Sequence, residues 1–372
     1  MTEHQGADAS RRQFLTGLAA ASAAAVATSP LPSFAQAGAA PAAKPAKPKH
    51  HGVIDTHHHF WAPEYLKAQD DWGKAHHVPP FPAMEKWTPE VSLAEMDKSG
   101  VQTAVLSLAS ISDGFWGLDA QNADRVVRAS IDYAQKMMSD HKGRFGLFAP
   151  LAMIDTDTAL KEIGYALDQA HADGIGLQSS YNGVLPGDPV NNPVWEELNR
   201  RKAVVYFHGP NPACCSAIKT GPAVNPSVVE VTFDITRAAL SLLVNGTLVR
   251  YPDINWVLSY GGGTLPYVAG RIAAFVNGSM RFQGVKPQEI APEGVLAAFG
   301  KLYYDTVNVT EEPSWKALTD LVKPTQIVYG TDFLYYNDSQ LDNIDKRVSS
   351  PTEKAMILSG NAKRLVPRLA KT

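Results

Sequence analysis

The stretch PEVSLAEMDKSGVQTAVLSLA, residues 89–109, contains in order a helix pattern, a stop and a strand. PEVSLAEMDKSG has helical spacing, and Gly100 reads as the residue that ends it. TAVLSLA (103–109) is a short apolar run rich in strand formers. Outward from this unit the same alternation recurs. VIDTHHH (53–59) precedes it, and FGLFAPLAM (145–153), GIGLQSS (174–180), AVVYFHG (203–209), INWVLSYGG (254–262), LYYDTV (302–307) and IVYGTDF (327–333) follow it, with amphipathic segments such as NADRVVRASIDYAQKMMSDH between them. Eight strand-like runs spread over about 300 residues and separated by helices imply a single α/β fold, a parallel (β/α)8 TIM barrel, over residues 53–372. In that architecture chemistry gathers at the carboxyl ends of the strands.

The chain of 372 residues is 45% hydrophobic and 19% charged with a formal net charge of -3, the profile of an ordinary globular enzyme with no basic excess for nucleic acid. Its two cysteines, Cys214 and Cys215, are adjacent, which excludes a disulfide framework and leaves only a strained vicinal bridge or, the reading preferred, two small thiols in a loop. Residues 1–37 read as a secretory leader: Arg11 and Arg12, then Phe14 and Leu15, an alanine-diluted apolar run, and a small-x-small end at Ala35-Gln36-Ala37. The paired arginines give it the pattern of a twin-arginine leader, so a periplasmic or secreted location is expected. Its apolar run falls short of the about 20 strongly apolar residues of a membrane span, so no lasting span is expected. Residues 38–52, rich in Ala, Pro and Lys, read as a linker.

Three strand ends carry candidate ligands. His57 and His59 are two apart, so strand geometry turns both to one face and His58 to the other. His208 ends the fifth run and Asp332 the eighth. A core histidine and an N-capping aspartate are the plain alternatives for these two. Together the four suit one divalent ion, zinc first and manganese or iron next. The fourth run ends LQSSYNG (177–183), with no lysine, glutamate or cysteine to bridge a second ion. Trp61, Phe115, Trp116 and Tyr335 are candidates for the rim of a pocket that takes a flat apolar body, with simple packing the equal alternative, and His76 and His77 read as surface histidines.

On these residues the chain resembles the amidohydrolase superfamily, in the branch of aminocarboxymuconate-semialdehyde decarboxylase and the hydroxybenzoate decarboxylases. WTPEVSLAEMDKSGVQTAVLS (87–107), NNPVWEELNRRKAVVYFH (191–208), GGGTLPYVAGRI (261–272) and ILSGNAKRL (357–365) carry the likeness, which runs from about residue 53 to 369. The resemblance implies that the barrel is of the metal-dependent hydrolase type, that His57, His59, His208 and Asp332 bind the metal and that Asp332 handles a proton. Two positions depart from the pattern. The family places a water-activating histidine directly before the triple glycine, where this chain has Tyr260. The branch uses an arginine near Trp87 to grip the substrate carboxylate, where this chain offers Lys86, a point charge without the guanidinium fork. Arg281 resembles an arginine that family members lend across a dimer interface, so a homodimer is left open.

A phenol with an ordinary pKa near 10 is a poor base at neutral pH but a good hydrogen-bond donor. Decarboxylation of a small aromatic or unsaturated carboxylic acid, with Asp332 supplying the proton and Tyr260 steadying an oxygen, survives the loss of the histidine better than hydrolysis does. The alternatives are a metal-dependent hydrolase of a lactone, ester or amide, and a binding protein that has lost activity.

Overall fold

A computed structural model describes residues 48–78, 82–109, 113–210, 226–335 and 339–371. The expected leader, most of the linker, Cys214 and Cys215 lie outside the described residues, which belong to one compact unit.

Eight parallel strands form one sheet in sequence order: β1 (Val53–His59), β2 (Val101–Ser107), β3 (Phe145–Pro150), β4 (Gly174–Gln178), β5 (Val204–His208), β6 (Asn255–Leu258), β7 (Tyr303–Asp305) and β8 (Ile327–Val328). The residues just past β8 close the circle against β1, with Thr56 N–H donating to the Tyr329 carbonyl at 2.8 Å, Asp332 N–H to His57 at 2.8 Å and His59 N–H to Phe333 at 3.0 Å. All eight runs read from the sequence are strands. Most end earlier than expected, and past the ends of β6 and β8 Tyr260 and Asp332 lie in turns rather than in the ladder.

The larger helices outside the sheet are α1 (Pro63–His76), α2 (Pro89–Ser99), α3 (Ala120–Asp140), α4 (Thr156–Gly164), α5 (Asn192–Arg200), α6 (Glu230–Val244), α7 (Leu265–Asn277), α8 (Glu312–Leu321) and α9 (Ser339–Arg347). Their boundaries follow local chemistry. α2 starts on Pro89 and stops at Gly100, whose φ of 82° lets its N–H return to the Met96 carbonyl. α3 is capped by Asp119, which accepts the Asn122 N–H, and it buries Val126, Val127, Ile131, Ala134 and Met137. Full burial of a Val or Ile side chain contributes about 1.5–3 kcal/mol. No described helix is long and apolar enough to cross a membrane.

The barrel lumen has its own core. Ile54, Val105, Phe148, Val204, Tyr206, Val257 and Val328 pack there with Ala362, Val366 and Leu369 from the C-terminal segment. That segment fills the foot of the barrel, and the polar residues are left to the opposite, carboxyl end.

Candidate metal centre

The ends of β1 and β5 and the turn after β8 bring His57, His59, His208 and Asp332 together, with one ligand atom from each lying within 4.8 Å of all the others. All four are buried. Among the described residues no other group of histidine, cysteine and carboxylate side chains has this arrangement. The three imidazoles form an edge-to-face triangle, with ring centres 5.0 Å apart for His57 and His59, 5.1 Å for His57 and His208 and 4.7 Å for His59 and His208. Asp332 Oδ1 lies 2.9 Å from His59 Nε2 and 3.2 Å from His57 Nε2.

Outer contacts aim these rings. His57 Nδ1 is 2.7 Å from Asp305 Oδ2, and His59 Nδ1 is 3.2 Å from the Ser107 carbonyl. A proton held on Nδ1 in each leaves the Nε2 lone pair pointing at the common centre, as a metal ligand requires. Without a bound cation a proton takes that Nε2 position on His57: burial works against a charged His57, yet the carboxylates of Asp332 and Asp305 overcome it and raise its pKa to about 10, so an incoming ion displaces this proton. Burial likewise opposes ionisation of Asp332, but His57 and His59 hold its carboxyl well below the usual range. His208, buried beside two other imidazoles, is pushed well below its ordinary value and stays neutral. Two buried carboxylates facing three imidazoles make a site that draws a cation, and His57 Nε2, buried without a well-formed hydrogen bond, faces it. The donor set therefore fits a divalent ion.

Tyr260 enters the same centre. Its hydroxyl donates to Asp332 Oδ2 at 3.1 Å and lies 2.9 Å from His208 Nε2. Burial and the nearby Asp332 and Asp305 charges raise its pKa well above 10, so it is a donor at neutral pH. The backbone must bend sharply to place it: Tyr260 has a φ of 54°, and Gly261, Gly262 and Gly263 follow with positive φ. At Gly263 a Cβ would stand 2.0 Å from the Thr232 carbonyl oxygen, so no other residue fits.

The other expected site residues separate. Trp61 is buried with its ring edge-on to His59 at 6.2 Å and to Trp87 at 5.5 Å, and Tyr335 meets His59 at 5.8 Å. Phe115 and Trp116 pack with each other, and Trp116 packs with Tyr65. Lys86 is exposed and takes no part in the hydrogen bonds of the four ligands. Arg281 is exposed in a short turn beyond α7, a 13-residue helix that leads away from the β6 end. At 1.5 Å per residue that helix covers about 20 Å, so Arg281 does not join its own chain's site. His76 and His77 are exposed, with His76 stacked on Trp72. His58 turns away from the ligands, as strand geometry requires, and is hydrogen-bonded to Asp55 and Ser92. Asp305 was legible by the rule that found the ligands, since it ends β7, but a carboxylate that orients a ligand leaves no spacing signal of its own.

The sequence profile of the Amidohydrolase family matches residues 54–368. The chain belongs to the amidohydrolase family. It is 33% identical over 334 residues to the decarboxylase yanB of Aspergillus niger, covering 85% of this chain and 87% of that one. It is 30% identical over 326 residues to the 6-methylsalicylic acid decarboxylase of Penicillium expansum, covering 85% of this chain and 96% of the relative. Among solved structures, the dihydroxybenzoic acid decarboxylase of Polaromonas sp. JS666, with bound manganese and the inhibitor 2-nitroresorcinol, shares the fold at a TM-score of 0.72 and 21% identity, over 85% of this chain and 97% of that one.

Proposed function

We propose that this amidohydrolase is a nonoxidative decarboxylase of a small aromatic or unsaturated carboxylic acid, working with one divalent ion held by His57, His59, His208 and Asp332. The Tyr260 hydroxyl carries the reading: it sits against both His208 and Asp332, where hydrolysis would need a base, and its surroundings keep it protonated. The activities named for the two fungal relatives support the same reaction class.

When bound, the cation polarises the oxygen atoms it contacts and lowers the cost of negative charge on them. Asp332 is the group we assign to carry a proton, drawn from a ring hydroxyl of the substrate or from solvent, to the carbon that bears the carboxylate. The bond from that carbon to the carboxylate breaks, its electron pair stays with the ring, and carbon dioxide leaves. Tyr260 donates to an oxygen that gains charge on the way, and Trp61 walls the pocket beside His59. Zinc is the ion we propose, because imidazole nitrogen and carboxylate oxygen are its common donors.

Elemental analysis of the purified protein followed by incubation with hydroxybenzoates and lactones tests this. About one zinc per chain and carbon dioxide from a hydroxybenzoate are expected; stoichiometric manganese replaces zinc in the scheme. Acid release from a lactone without gas establishes the hydrolase instead, and a protein that takes up no metal overturns both. Three remaining assignments are proposals of the same kind. Arg281 serves a neighbouring protomer's site in a homodimer, Lys86 contacts substrate from the surface, and residues 1–37 direct twin-arginine export. Sedimentation of the purified chain, the KM of Lys86→Ala, and the location of an Arg11→Lys, Arg12→Lys double variant check them in turn. A monomer, an unchanged KM and undiminished export are the opposing results.

A further inference from the structure

Asp55, buried two residues before His57, makes more contacts than a structural carboxylate on a strand needs. Its Oδ1 accepts the backbone N–H groups of His57 and Thr331, both at 3.0 Å. Its Oδ2 accepts the Thr331 hydroxyl at 2.6 Å and His58 Nδ1 at 3.0 Å. All four donors come from the two segments that carry the metal ligands, or from the histidine between two of them. Thr331 directly precedes Asp332, which has a φ of 60°, a left-handed conformation a non-glycine residue holds only when its surroundings impose it.

The donors extend outward in one consistent direction. Trp87 Nε1–H donates to Ser92 Oγ at 2.9 Å, which leaves the Ser92 hydroxyl to donate to His58 Nε2 at 3.0 Å when the Nδ1 proton of His58 is directed at Asp55. Trp87 packs edge-on against Trp61, and Phe333, one residue past Asp332, stacks on the His58 ring at 4.7 Å. Every one of these side chains is buried.

We infer that Asp55 is a positioning residue for the metal centre: it clamps the Thr331–Asp332 turn onto β1 and, through His58 and Ser92, ties that turn to the tryptophan pair beside His59. The inference rests on the metal-centre reading. An asparagine keeps the two backbone N–H contacts only by turning its NH2 toward the Thr331 hydroxyl and His58 Nδ1, which must then reverse from donors to acceptors and take the Ser92 contact with them. Groups that orient metal ligands change affinity by about 10–100-fold when lost.

The test loads metal-free protein with Co(II), records the visible d–d bands and measures affinity by competition with a chelator. Asp55→Asn and Thr331→Val are each expected to weaken Co(II) binding by about tenfold or more and to alter the bands, and Thr331→Ser, which keeps the hydroxyl, to restore both. Asp173→Asn is the comparison, since Asp173 is a buried carboxylate at the foot of the barrel, bound to Arg368 and the Leu147 N–H. It is expected to leave affinity and spectrum as in the parent. Parent-like binding and bands in both Asp55→Asn and Thr331→Val overturn the inference, as does an equal loss in Asp173→Asn. If the parent chain binds no Co(II), the metal-centre reading itself falls, and the inference with it.

Discussion

Tyr260 and Asp305 shape the centre without being among its four ligands. Tyr260→Phe removes one hydrogen bond to Asp332 and a contact to His208 but leaves the ligand set whole. Loss of a donor aimed at developing charge costs about 10²–10³ in kcat, so carbon dioxide release is expected to fall by that order while metal content stays stoichiometric. Asp305→Asn acts differently, since it weakens the acceptor that holds the His57 Nδ1 proton. Metal affinity is expected to drop about 10–100-fold in chelator titration. Glu162 bears on stability rather than chemistry. It is buried on α4, accepts the Ala152 N–H at 2.9 Å, and burial pushes its pKa up to about 8. The folded chain keeps a proton there that the unfolded chain releases near an ordinary glutamate pKa of about 4.3, so stability falls as pH rises from there to about 8. The steepest contribution is about 1.4 kcal/mol per pH unit. Glu162→Gln is expected to flatten this slope in melting curves taken at pH 5 and pH 8.5, and an unchanged slope counts against it.

The elements were legible where their pattern is periodic and local. The eight strands and the α2 stop at Gly100 followed from apolar runs and helix punctuation. His57 and His59 followed from strand alternation, and His208 and Asp332 from their place at strand ends. Asp55, Ser92 and Thr331 were not legible, because their partners come from distant segments and each has an ordinary surface or capping role in sequence. Lys86 shows the converse: an appropriate charge near Trp87 in sequence is exposed in the fold, since only its neighbour turns inward. Loop geometry matters as much as strand ends. Gly263→Ala would press a methyl group onto the Thr232 carbonyl at a φ of 65°. It is expected to lower the melting temperature and to reduce carbon dioxide release with it, because the same bend delivers Tyr260. A normally stable and active variant would show that the loop has another way to turn.

For the whole molecule, a bound cation joins segments that the sheet alone holds loosely, since β8 has only two residues in the ladder. Removing it is expected to lower the melting temperature, and a ligand at about 100 times its Kd stabilises the folded state by about 2.7 kcal/mol. Calorimetry with and without chelator checks this, and equal melting temperatures oppose it. The meeting of β1 with the turn after β8 has another consequence. His59 and Asp332 are 273 residues apart, and the lumen's floor comes from Ala362, Val366 and Leu369. A nascent chain therefore carries its first two ligands almost from the start of synthesis and cannot assemble the centre until nearly all of it has emerged. Metal capture marks a nearly complete barrel, and a truncation before residue 332 gives a protein with the three ligand histidines but without the carboxylate that closes the set.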